Sequence, residues 1–146
     1  MYSIFFGKAG VLSFQKRFHE QVALLNAGEP LQAFDGFYAS AVVMYDNDVM
    51  FAADKAEGRA KQLPFFQSAK SIYGCIEDVA TSQDDARPAS GVGVFRNRSR
   101  FVTKDGKQMQ IDGLVWQKWA NHEIVEERYY RDDLMAQKIK NGILAP

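Results

Sequence analysis

Helical spacing dominates the first half of this chain and strand spacing the second, and that order restricts it to a small set of folds. From Ser13, a suitable cap, Phe14, Phe18, Gln21, Val22 and Leu25 recur on one helical face until "NAG" at 26–28, where Gly28 suits a C-terminal cap. Pro30 fits a first helical position, and Leu31, Phe34, Phe37 and Tyr38 continue as a second, shorter helix. "AVVMY" then reads as a strand by its β-branched content, followed by a turn at Asp46–Asp48 and an apolar patch, "VMFAA". A third helix is expected within 58–73, either beginning near Leu63 with Pro64 in its first turn or kinked at that proline. Beyond it, "YGCIEDVATS", "SGVGVFRNRSRFVT", "KQMQIDGLVWQKW" and "EIVEERYYRD" read as strands separated by turn signals. "DLMAQKIKNG" can close the chain as a short helix stopped at Gly142. The fold class that follows is α+β, with helices packed on one face of a curved antiparallel sheet.

Composition narrows the classes of function. At 146 residues with 47% hydrophobic content, the sequence suits one compact domain, 1–146. Eighteen basic residues balance eighteen acidic ones. The broad positive field of a nucleic-acid binder is therefore missing, and a near-neutral chain tends to self-associate. Cys75 is the only cysteine, which excludes an intrachain disulfide and suits a reducing cytosol. His19 and His122 are the only histidines, and no cluster stands at metal-ligand spacing, so neither metal nor cofactor is expected. "MYSIFF" at 1–6 is too short for a signal-peptide core, and no run of about 18 apolar residues offers a membrane span. A cytoplasmic protein without a membrane partner is the expectation.

Three fragments, with the order of elements, carry a resemblance. "ALLNAGEPLQAFDGFYASAVVMYD" (23–46), "EGRAKQLPFF" and "KWANHEIVEERYYRD" together resemble the nuclear-transport-factor-2-like superfamily, in its SnoaL-like polyketide cyclase and ketosteroid isomerase branch. The likeness spans roughly residues 13–133, with a short helix or tail after it. It implies a cone, in which a curved sheet wraps the leading helices around a pocket open at one end. Members bind small apolar molecules there, some catalysing proton transfers and others holding only a ligand or a protein partner. Many dimerise through the outer sheet face. Fold does not fix function, so the residues must carry it.

On this resemblance Asp46 falls where the isomerases carry their proton-moving aspartate, 18 positions after Gly28. In an apolar cavity its carboxylate would become a useful base; in "DND" the plain reading is a solvated turn aspartate. Gln21 replaces the isomerases' tyrosine, either donating to an oxyanion or reaching water from a helix edge. Val115 takes the place of their second acid, and Asp112, three residues earlier, belongs to the opposite strand face. True ketosteroid isomerase chemistry is disfavoured, and the reading is a small-molecule-binding domain, with isomerase-, cyclase- or dehydratase-like activity in view. Its alternative is a non-catalytic binding module.

The same anchoring turns Val115, Gln117, Trp119, Glu127, Tyr129 and Arg131 toward the pocket, with Phe18 and Gln21 opposite them. Glu127 and Arg131 would then pair, and a carboxylated or hydroxylated ring would suit the wall better than a bare steroid. A register shifted by one would present Glu126, Arg128 and Tyr130 instead. His19 is either a proton relay to Asp46 or a helix-flank residue. His122 is expected to face water and Cys75 to be a buried small hydrophobe. Arg96, Arg98 and Arg100 alternate on one strand face, as an anion stripe or as a solvated face paired with acids. Leu114, Trp116 and Trp119 load both faces of one strand, which points to a homodimer through the outer face.

Overall fold

The structure is a computed structural model and describes residues 13–143; the "MYSIFF" segment lies outside the described residues. Helix α1 (Phe14–Asn26) buries Phe14, Phe18, Gln21 and Val22, the stripe legible in the sequence. Its end is sealed by Gly28 at φ +77°, where a Cβ would lie 2.5 Å from the Ile72 carbonyl oxygen. Helix α2 (Pro30–Phe37) follows with proline in its first turn. The chain then extends directly into strand β1 (Tyr38–Asp46), so Tyr38 is the first residue of the strand and not the last of the helix. Asn47 and Asp48, at φ 48° and 65°, make the tight turn to β2 (Val49–Ala52).

The third helix, α3 (Lys55–Ser68), starts earlier and ends earlier than the sequence pattern suggested. Asp54 accepts a hydrogen bond from the Glu57 backbone N–H at 2.9 Å, and Glu57 Oε1 accepts from Ala53 N–H at 2.8 Å. This reciprocal cap fixes the start upstream of Pro64, which sits exposed inside the helix. Asp54→Ala should cost about 1 kcal/mol by loss of the cap, read as a lower urea midpoint at unchanged slope.

Six strands form the main sheet in the order β2, β1, β9 (Glu123–Tyr130), β8 (Gly113–Ala120), β5 (Arg87–Asn97), β4 (Ile76–Asp84). All its pairings are antiparallel except β1 with β9. A second, three-stranded sheet joins β3 (Ala69–Tyr73), β6 (Arg100–Thr103) and β7 (Gln108–Gln110). The long strand expected from "SGVGVFRNRSRFVT" is therefore two. Asn97 Oδ1 accepts from both the backbone N–H and the hydroxyl of Ser99, and the Ser99 hydroxyl accepts from Cys75 N–H, so the chain turns out of one sheet into the other. The arginine face is lost with it: Arg96 pairs with Asp112, Arg98 with Glu77, and Arg100 lies over the Tyr73 ring.

Helix α1 crosses the inner face of the sheet where β5 carries glycines. A Cβ on Gly93 would stand 2.3 Å from the Phe18 ring, and one on Gly91 the same distance from Phe14. The rings occupy the space that side chains would take, which draws α1 onto the strand. Trp119 lies at the centre, with Phe14, Phe18 and Phe37 ring centroids at 5.9, 6.2 and 6.3 Å. On the outer face Val94, Leu114, Trp116 and Tyr130 form a second cluster, against which the terminal helix α4 (Asp132–Asn141) packs Leu134 and Met135. Part of the cover that Trp116 and Leu114 demand thus comes from the chain itself. Among the described residues no helix is long and apolar enough to cross a membrane.

Candidate functional site

Between the inner sheet face, the three leading helices and the small sheet lies a cavity of about 540 Å³. Its wall is mostly aromatic and aliphatic: Phe34, Phe51, Phe65, Phe66, Phe95 and Phe101 contribute rings, with Leu25, Ile72, Ile111 and Val115 between them. Polar groups enter at a few points only: Gln21, Tyr38, Glu127 and Tyr129 from within, and Asp46, Lys61, Gln62, Asn97 and Ser99 around them. An apolar hollow of this size with a few converging polar groups has the character of a small-molecule site.

The strand register decides which acids enter it. Gln117 pairs with Glu127 and Val115 with Tyr129, with the shift in pairing confined to Lys118/Trp119. Glu127 and Tyr129 consequently face inward. Glu126 and Arg128 turn outward, where Arg128 binds Glu126 at 2.6 Å and Asp48 at 3.3 Å and lies over the Tyr45 ring. Gly113 permits the inward arrangement, since a Cβ there would fall 2.2 Å from the Tyr129 ring.

Glu127 is buried between β1 and β8, and among the described residues no cation pairs with it. Its partner is the hydroxyl of Tyr38, which donates to both carboxylate oxygens, at 2.5 Å to Oε2. Burial raises the Glu127 carboxyl to about 7, opposed by hydrogen bonds from Tyr38 and Gln117. Burial, with the adjacent carboxylate second, also drives the Tyr38 phenol well above its ordinary value. The Tyr38 ring is fixed by stacking on Phe34 at 4.4 Å. Behind this pair, Gln21 and Gln117 exchange reciprocal amide hydrogen bonds at 2.9 and 2.7 Å, and the Trp119 indole N–H donates to Gln117 at 3.3 Å. One connected polar cluster thus stands within an apolar core, and such a cluster holds a unique geometry only when its members are satisfied.

The residues singled out from sequence divide among three places. Gln21, Glu127, Tyr129 and Asp46 line the cavity. Gln117 is fully buried one layer behind, while Phe18 and Trp119 belong to the core beneath and do not line the space. Gln21 is no helix-edge residue reaching water, being 1% exposed. Asp46 is at the rim: its side chain is 41% exposed and ion-paired with Arg131 at 3.2 Å. Arg131 lies just past β9, so it reaches Asp46 and Asp132 and not Glu127, and the expected Glu127–Arg131 pair does not form. His19 is exposed on the flank of α1, edge-on to Phe18 at 5.6 Å, and is absent from the cavity wall; the relay to Asp46 is withdrawn. His122 is half-buried in the β8–β9 turn, and Cys75 is half-buried with its thiol 3.6 Å from Glu77. Sequence reasoning missed Tyr38, because its spacing from Phe34 reads as helix when the residue in fact opens a strand. Among the described residues no group of three or more His, Cys, Asp and Glu is placed to hold a metal.

No family model matches the sequence, and no curated protein does. Solved structures do. A protein of nuclear-transport-factor-2-like type from Burkholderia pseudomallei superposes with a TM-score of 0.61 at 12% identity, covering 87% of this chain and 95% of that one. This chain has the nuclear-transport-factor-2-like fold. A candidate SnoaL-like polyketide cyclase from Mesorhizobium loti matches at TM-score 0.54 and 15% identity, over 82% of this chain and 100% of that one. AclR, a candidate hydroxylase from Streptomyces galilaeus, matches at 0.63 and 11%, over 90% and 97%. Identities of 11–15% carry the fold and not an activity, so the Tyr38–Glu127 pair is judged on its own geometry.

Proposed function

We propose that the chain is one SnoaL-like domain that binds a small, largely aromatic molecule in the cone and moves a proton on it, with Glu127 as the acid–base group. The observation that carries this reading is the buried Glu127 carboxyl, facing the cavity, bonded to a neutral phenol and raised to about 7. A carboxyl so placed is part ionised at neutral pH and serves as both proton acceptor and donor. The Tyr38 hydroxyl is given to the carboxylate, so the donor beside it for a developing oxyanion is the Gln21 amide, which gives one N–H to Gln117 and keeps a second. The reaction class is abstraction of a proton next to a carbonyl: Glu127 takes the C–H proton, the electron pair moves onto oxygen, and the proton returns at another position or after ring closure. Asp46, solvated and tied to Arg131, holds the rim.

The test uses 2-acetonaphthone, whose carbonyl and ring match this wall. At one hundred times its Kd it should raise Tm by about 5–10 °C. In D2O the protein should accelerate exchange of its methyl protons, followed by NMR. Glu127→Gln should lower that rate by about 10²–10⁴ while binding persists, and Asp46→Asn should leave it within about tenfold. Loss in Asp46→Asn alone would return the role of base to Asp46. Binding without any exchange would establish the non-catalytic module instead.

A further inference from the structure

Beyond the Tyr38–Glu127 pair the main chamber adjoins a second hollow of about 240 Å³. Met44 and Tyr45 belong to its wall alone, whereas Asp46, Phe51, Gln62, Glu127 and Tyr129 border both spaces. Glu127 is 9% exposed and borders each of them, so this residue stands at a junction and not at the end of a blind pocket. The reacting group of any ligand that meets Glu127 has space on both sides of it.

We infer that the side hollow is a subsite, and that the ligand is bipartite: a flat aromatic body in the main chamber, a short unbranched apolar chain in the side chamber, and a carbonyl between them at Glu127. This rests on the functional reading above and adds the class of ligand. Three features support it. The six phenylalanines belong to the main chamber, and only Phe51 is shared with the side one, so the two spaces differ in the shapes they favour. The side wall offers the Met44 thioether, a flexible apolar surface that adapts to a chain. Asp46 and Glu127 border it, which disfavours an anionic tail. The volume holds roughly eight water-sized groups at about 30 Å³ each, enough for a chain of several carbons.

Equilibrium dialysis of the full chain with 2-acetonaphthone and its propyl, hexyl and decyl ketone homologues tests the subsite. Affinity should rise about fourfold per buried methylene from the methyl to the propyl ketone, continue toward hexyl and level off before decyl. Met44→Ala should move the plateau to longer chains. A rise that continues undiminished to the decyl ketone, no rise at propyl, or a Met44→Ala series that superposes on the wild type overturns the inference. Should Met44→Ala fail to fold, the wild-type series decides. Failure of the functional reading is distinguishable, since 2-acetonaphthone itself then shows no exchange, whether or not it binds.

Discussion

At pH 8 the Glu127→Gln protein should be more stable than the wild type by about 3 kcal/mol, while at pH 4 the two should nearly coincide. Glu127 has a folded value of about 7 against an ordinary 4.5, and burial is the cause. Below 4.5 the folded and unfolded chains both keep the proton. Between 4.5 and about 7 the unfolded chain has released it and the folded one has not, so wild-type stability falls as pH rises, by about 1.4 kcal/mol for each pH unit crossed. Above 7 the folded chain holds a buried carboxylate whose partners among the described residues are a phenol and an amide. Glutamine keeps the oxygen that accepts from Tyr38 and has no charge to bury. A difference of this size is about 6–12 °C in Tm for a chain of this length. Thermal melts of both proteins across pH 4–8 decide the matter, and a Tm gap that does not widen with pH would mean that Glu127 is no more buried in solution than an ordinary surface acid. The wild-type exchange rate should climb through the same window, because the ionised form is the base. The two profiles therefore trade stability against reactivity at one residue.

Trp119→Ala should cost about 3–5 kcal/mol, a large part of the total stability of a domain this size. Trp119 is 1% exposed and is touched by rings from both leading helices, Phe14 and Phe18 of α1 and Phe37 of α2. Truncation leaves a void that Phe14 and Phe18, packed at glycine positions on β5, cannot collapse to fill. It also removes the indole donor to Gln117, whose amide then relies on Gln21 alone for its oxygen. Urea denaturation should show a midpoint shift at nearly constant slope. Trp119→Phe, which keeps most of the ring volume and drops the N–H, should lose less than half as much. Equal losses for the two variants would place the energy in the hydrogen bond and not in the packing.

Much of the architecture was readable because burial imposes a period. Phe14, Phe18, Gln21 and Val22 repeat as helix α1 buries them, and Val115, Gln117 and Trp119 alternate as β8 does. Where the period was ambiguous the reading slipped. Tyr38 sits four residues after Phe34, a helical interval, yet the backbone is already extended there. "FRNRSRF" alternates like one strand, but side-chain acceptors on Asn97 and Ser99 redirect the backbone, and no periodicity records a local turn of that kind.

The candidate site was legible in some of its members, Gln21, Glu127 and Tyr129, and not in Tyr38 or in the roles these residues take. Inward-facing residues follow from alternation once one anchor is right, which is how Glu127 and Tyr129 were reached. Pairing is different, because it depends on where strand ends fall in three dimensions. Arg131 leaves the sheet one residue too late to meet Glu127 and meets Asp46 across the parallel β1–β9 contact instead. By itself the sequence determined which residues are apolar, at what interval, and hence which elements form and which face each buries. Tertiary structure alone decided that Glu127 is enclosed while Asp46 stays in water, since desolvation is a property of everything packed around a carboxyl and of no single stretch of chain.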